Sequence, residues 1–367
     1  MRLHGSGNGL LGVDITSSAV RLVELKRMTD GHQLASCAVC PLAEGAVVER
    51  RISRSEEVAQ VLSQAVRQAQ PAANRVVIAL PSSAIISKTI ELPLALDDEE
   101  IEALVLLQAE QHFPFPPHDV AFDFQRLGAA AQTTEHQKVL LVACRHQDVS
   151  QLSEIVTQAG LVTAAVDAEP FVIERALALQ CQQLTPTLVT KKDGVAFVDV
   201  GSRGSSFHVF HDGRMAYSRH MTLSKAAPAP QLLQSKITDN AVQGNRAFYH
   251  HDAVPSGLEG HGSHVPAGTS DNMAEAVCDD LAEQIERAQQ LYYTTHSQAE
   301  ISGIFLAGDP KLLARLEVRL SELCSASVII VNPFSGMSIS ENIAKPYLQA
   351  HSPELLIACG LAAKEGV

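Results

Sequence analysis

Near the start of the chain, apolar and polar positions alternate with period two on either side of a short turn. Residues 10–25 read LLGVDITSSAVRLVEL. An apolar run ends in Asp14, small hydroxyl residues follow, and alternation resumes through Val20, Leu22, Val23 and Leu25. The pattern predicts a strand, a tight turn and a second strand, with a carboxylate at the mouth of the turn. It returns at 195–211, VAFVDVGSRGSSFHVFH. Asp199 takes the place of Asp14, and Gly201, Ser202, Gly204 and Ser205 fill the turn. Each copy runs into an Asp-Gly dipeptide, Asp30-Gly31 and Asp212-Gly213, which favours a further hairpin.

Between the copies the period changes. Val58, Val61, Leu62, Ala65, Val66 and Ala69 share one helical face, with Ser55 expected as the cap and Pro71 as the stop. RVVIAL at 75–80 predicts a strand buried on both faces. Asp97 and Glu100 form a capping-box pair before a helix carrying Ile101, Leu104 and Val105, and the tract HFPFPP at 112–117 ends it. Strands are expected at 84–92, 122–127, 138–144 and 161–167, and helices at 148–159 and 170–180. After the second copy, residues 221–270 are rich in Gly, Pro, His and Ser and read poorly. A long helix follows, striped by Met273, Val277, Leu281, Ile285, Ala288 and Tyr292. Then come a strand (301–307), a helix (311–323), a strand (327–331) and a last helix opened by Ser352 and Pro353.

This is an α/β order approximately doubled, which puts a ligand between two halves near strand ends and turns. At 367 residues the chain has room for two cores. A net charge of −13 argues against a nucleic-acid partner. No apolar run approaches the ~20 residues of a membrane span, and the first dozen residues lack the apolar segment of a signal peptide. Seven scattered cysteines fit reduced thiols. A cytoplasmic chain is expected, reaching a membrane only through a partner.

A turn of Gly, Ser and Thr brings backbone N–H groups and hydroxyls to an anion. An Asp beside each turn repels phosphate unless a cation lies between, so Asp14 and Asp199 suggest Mg²⁺ gripped with phosphates. A purely structural duplication gives the same pattern, and both readings stay open at this level.

Residues 11–25, VDAEPFVIER at 166–175, VDVG at 198–201, LAG at 306–308 and IACGLA at 357–362 resemble the PilM family of type IV pilus assembly, whose members are actin-like and cytoplasmic. The resemblance covers about 10–219 and 273 to the end. It implies an actin-like ATPase fold of two duplicated domains around a central nucleotide cleft: 10–185, with an inserted subdomain at about 84–160; 194–345, divergent over 220–270; and 346–367 returning to the first. It implies ATP and Mg²⁺ held by Asp14, Thr16, Ser17 and Ser18 in one phosphate loop and by Asp199, Gly201, Ser202 and Gly204 in the other. Gly308 begins the adenine-side loop, Asp14 and Asp199 flank the metal, and Asp167 and Glu169 stand as the catalytic, water-positioning groups. The implied partner is the N-terminal cytoplasmic tail of a PilN-type inner-membrane protein, and through it PilO and the pilus motor.

The chain departs from the family at Leu223-Ser-Lys-Ala, at Asp309 after Ala307-Gly308, and at Arg203 in the second turn. Residues 221–270 are also short of the Glu and Lys that hold a ribose. These departures predict a nucleotide site weakened or lost, with at most slow ATP hydrolysis. The alternatives are a small-molecule kinase or ATPase of the actin/sugar-kinase superfamily and an adaptor of a related pilus or secretion system. Cys37 and Cys40 match a CxxC spacing, but residues three apart on a strand face opposite ways. His250, His251, His261 and His264 read as a polar insertion, and Phe113 and Phe115 as packing within their own unit.

Overall fold

The computed structural model describes residues 9–29, 31–129, 135–183, 194–201, 204–211, 214–222, 268–296 and 300–365. A polar joint is expected at 182–193 between the halves; its residues 184–193, with Ser202, Arg203, Asp30, Asp212-Gly213 and residues 223–267 with their four histidines, lie outside them.

Along the first half the strands are β1 (Leu10–Ile15), β2 (Ala19–Met28), β3 (Gly31–Pro41), the short pair β4 (Val47–Val48) and β5 (Arg51–Ile52), β6 (Arg75–Leu80), β7 (Ile86–Pro93), β8 (Val120–Ala129), β9 (His136–Arg145) and β10 (Val162–Ala168). The helices are α1 (Ser55–Ala69), α2 (Asp98–Leu107), α3 (Ala109–His112), α4 (His146–Gln158) and α5 (Glu169–Gln183). The second half holds β11 (Gly194–Val200), β12 (Gly204–His211), β13 (Arg214–Thr222), α6 (Gly268–Thr295), β14 (Ile301–Gly308), α7 (Pro310–Leu323), β15 (Ser327–Ile330), β16 (Ser338–Ile339), α8 (Lys345–His351) and α9 (Leu356–Ala362).

Two sheets repeat one plan. The first has the order β10-β6-β1-β2-β3-β16, the second β13-β12-β11-β14-β15. In each, an antiparallel meander (β1-β2-β3; β11-β12-β13) continues through its first strand into parallel neighbours (β6 and β10; β14 and β15). The outer face of the first sheet packs Leu11, Val13, Leu22 and Ile78 against Val58 and Leu62 of α1 and Ile155 of α4. The second packs Val198, Phe207 and Leu306 against Leu281 and Ile285 of α6 and Leu316 of α7.

The inner faces meet in a third cluster. Val77, Phe197, Phe210 and Phe305 surround Val172 and Ile173 of α5 and Leu356 and Leu361 of α9. Strand alternation then fixes where the two aspartates look. Asp199 lies two residues beyond inward-facing Phe197. Asp14 lies two beyond Gly12, which touches α9 so closely that an added Cβ would sit 1.9 Å from the Ala358 carbonyl.

A separate antiparallel sheet, β7-β9-β8, carries α2 and α3 over Leu92, Phe113, Val139 and Leu141. The capping box forms: Glu100 N–H reaches Asp97, and Asp97 N–H reaches Glu100, both at 2.9 Å. The expected single helix breaks at Gln108, whose backbone leaves helical dihedrals. Ser55 is the first helical residue of α1, not its cap; Arg54 precedes it without a side-chain capping bond. The last helix begins as a 3-10 turn over Ser352–Leu355. Sequence reading missed α8 and β16, too short to show a period.

Candidate functional site

Asp14 is the penultimate residue of β1, and the hairpin register puts Arg21 of β2 directly opposite. The Arg21 guanidinium donates to Asp14 Oδ2 at 3.0 Å and lies 3.4 Å from Glu354 at the C-terminal turn. Thr16 spends its hydroxyl inside the turn, donating to the Ala19 carbonyl at 3.0 Å and accepting from Ala19 N–H at 3.1 Å. Ser17 and Ser18 stand half-buried beside it.

Arg50, at the tip of the β4–β5 hairpin, enters from the other side. It donates to Glu169, which also accepts from Ser82 N–H (3.0 Å) and Ser82 Oγ (3.1 Å). Asp199 completes the cluster at the end of β11. Burial pushes its carboxyl up to about 6; Arg21 and Arg50 pull it down, and Asp14 and Glu169 push it further up. Burial likewise raises Asp14, against the pull of Arg21 and Arg50. The two aspartates of the twin hairpins therefore share one partly buried crevice with both arginines.

Several polar atoms here lack a partner. The Nε of Arg21 and of Arg50, the hydroxyl of Ser206 and both ring nitrogens of His208 are buried without a hydrogen bond; Ser205, also unpartnered, lies opposite Val200 and faces the outer cluster. His208 is 1% exposed, stacked on Phe197, and burial lowers its pKa to about 4. Gly201 and Gly204 hold the described part of the second turn. An added Cβ would sit 2.5 Å from the Gly204 carbonyl and 3.0 Å from His220 Nε2, respectively. Gly308 has φ +108° and would place a Cβ 2.1 Å from the Val200 carbonyl, so the chain needs glycine there. Asp309 caps α7 by accepting from Lys311 N–H at 3.0 Å.

The residues present do not fit a divalent ion between Asp14 and Asp199. Asp14 is committed to Arg21, and among the described residues no group of three His, Cys, Asp or Glu side chains is arranged to hold a metal. Arg21 and Arg50 lie near enough to both aspartates to pull their carboxyls down. Arg21 was legible once the turn was placed, because the hairpin register dictates its partner. Arg50 gave no signal, since its approach depends on a short hairpin outside any periodic segment.

Asp167 goes elsewhere. Although only two residues from Glu169, it accepts from Arg175 Nη2 at 2.8 Å and Lys364 Nζ at 3.0 Å. Burial raises its carboxyl, but these two cations more than reverse that and leave it below the usual range. The three groups form part of the wall of a groove of about 1050 Å³ between β8 and β9 of the small sheet and β10 and α5 of the first. Apolar residues floor it, including Phe122, Leu140, Val142, Ala165 and Phe171. β8 and β10, which flank it, are edge strands of their sheets.

Cys37 and Cys40 lie on opposite faces of β3, one packed toward α9 and the other toward α1. Phe113 is buried against Phe122, and Phe115 lies under the Arg145 guanidinium.

Residues 12–365 match the family described as Type IV pilus assembly protein PilM. Among solved structures, a PilM-PilN type IV pilus biogenesis complex is similar at 22% identity, with 96% of this chain and 97% of that chain covered and a TM-score of 0.68. EutJ, an ethanolamine utilization protein from Carboxydothermus hydrogenoformans, is similar at 10% identity, covering 96% and 88%, TM-score 0.45. Ta0583, an archaeal actin homolog in complex with ADP, is similar at 11%, covering 96% and 98%, TM-score 0.45. The duplicated sheets and their order give this chain the actin-like fold.

Proposed function

This chain belongs to the PilM family of type IV pilus assembly proteins, and from that premise we propose that it is a docking scaffold whose groove takes the extended N-terminal tail of a PilN-type protein. The groove carries this reading. Its volume suits several residues of extended peptide, its floor is apolar, and both flanking strands offer unpaired edges for main-chain hydrogen bonds. Thr163, among its lining residues, has a buried hydroxyl with no partner. Among the described residues no helix is long and apolar enough to cross a membrane, so the partner supplies the anchor at the inner membrane and the link to PilO and the motor.

The ion pairs of Asp167 and Glu169 favour a scaffold over a hydrolase: neither carboxylate is free to orient water. ATP, if it enters, meets the Asp14–Asp199 crevice. The test is fluorescence anisotropy of a labelled PilN-type tail peptide on the full chain. Ala178→Trp, on an exposed position of α5 that lines the groove, is expected to remove binding while leaving the melting temperature unchanged. Equal binding by wild type and variant overturns the assignment of the groove.

A further inference from the structure

We infer that Arg50, with Arg21, serves as the built-in cation of the crevice between the halves, so that the cluster of Asp14, Asp199 and Glu169 is complete without a divalent metal. The backbone around Arg50 carries the first part of the argument. Glu49 and Arg50 form the two-residue tip between β4 and β5, with φ +49° and +64°. A hairpin tip with both residues in the left-handed region favours Asn-Gly or Asp-Gly. Glu-Arg pays strain there, and strain of this kind persists where the surroundings over-determine it.

The surroundings are Glu169 and its two hydrogen bonds from Ser82, which fix the carboxylate that Arg50 grips. Arg50 is the hairpin residue that grips this carboxylate. Arg21 does the same on the opposite side, joining Asp14 to Glu354. The cluster thus brings four carboxylates, Asp14, Glu169, Asp199 and Glu354, to two guanidinium groups. In a partly buried site, crowded like charges are costly unless opposite charge offsets them. A fork of N–H donors on a pinned hairpin supplies that charge as a fixed part of the fold. The unpartnered Nε atoms of both arginines, with the free hydroxyl of Ser206 opposite Asp199, leave donors that meet an anion directly.

Manganese(II) alone, followed by its electron paramagnetic resonance signal on the full chain, tests this. Wild type is expected to take up no ion that depends on Asp199. Arg50→Gly removes the guanidinium and suits the left-handed tip, so it should fold. It is expected to bind Mn²⁺ roughly tenfold or more tighter than wild type, and the gain should vanish in the double variant Arg50→Gly, Asp199→Asn. Glu49→Gly relieves the same turn but keeps the cation, and should behave as wild type. Wild-type uptake that Asp199→Asn abolishes, or no gain in Arg50→Gly, overturns the inference.

Discussion

Asp167 and Glu169 lie two residues apart where β10 passes into α5, yet they serve two different sites. Asp167 joins Arg175 and Lys364 in the wall of the groove, while Glu169 holds Arg50 and Ser82 in the crevice. A displacement of this junction is felt at both places, because the ion pairs on either side fix both carboxylates.

A peptide in the groove is therefore expected to change the crevice. Glu169→Gln, at a position that is not among the groove-lining residues, should shift tail affinity by roughly three- to tenfold. Peptide binding should likewise alter hydrogen exchange at the Ser82 amide, which Glu169 accepts. Anisotropy and exchange mass spectrometry check the two directions; unchanged affinity together with unchanged exchange means that the junction transmits nothing.

Asp199 is expected to cost stability at neutral pH. Its folded pKa of about 6 exceeds the ordinary 3.8, so the native state holds the proton more tightly than the unfolded chain. Stability therefore falls as pH rises from about 4 to about 6, and the full penalty, about 3 kcal/mol, applies above. Asp199→Asn should raise the melting temperature at pH 7 and lose that advantage near pH 4. A gain that is the same at both values removes the argument.

His208 works in the other direction. Its folded pKa is about 4 against an ordinary 6.5, so protonation favours the unfolded chain. Stability is fully present above pH 6.5 and lost as pH falls toward 4. Arg50 and His220 oppose its protonation and Glu169 favours it, all less than burial does. His208→Phe keeps the ring between Phe197 and Phe210 and removes two unpartnered nitrogens. It is expected to stabilise by about 1–3 kcal/mol and to flatten the acid limb of a melting-temperature profile. Parallel profiles for wild type and variant exclude this role for His208.

Much of this was legible in the residues. Period-two alternation around Asp14 and Asp199 marked both hairpins, and the hairpin register alone set Arg21 against Asp14. The apolar run 75–80 announced a central strand, and Asp97 with Glu100 announced a helix start. Arg50 and the groove were not legible. Arg50 depends on a two-residue tip whose sequence, Glu-Arg, contradicts the dihedrals it adopts. The groove arises from packing the small sheet beside β10, a tertiary arrangement that no local period encodes. Asp167 and Glu169 looked equivalent in sequence because spacing along a strand end says nothing about which cations lie opposite.

The contact between Gly12 and α9 gives a prediction that joins sequence, packing and groove. A Cβ on residue 12 would lie 1.9 Å from the Ala358 carbonyl and 2.6 Å from the Ala362 amide nitrogen, both main-chain atoms that no rotamer change can move. Gly12→Ala must push α9 away from β1, at a cost of about 3 kcal/mol or more. Lys364, just past that helix, would move with it and loosen its bond to Asp167. Gly303→Ala is the control, since its Cβ would meet nothing closer than the Ser327 carbonyl at 3.7 Å, an ordinary contact. A chain of two halves need not unfold in one step, so the first thermal transition is the proper measure. Gly12→Ala should lower it and weaken tail binding, while Gly303→Ala should do neither; equal effects from the two variants would mean that β1 and α9 are not packed this closely.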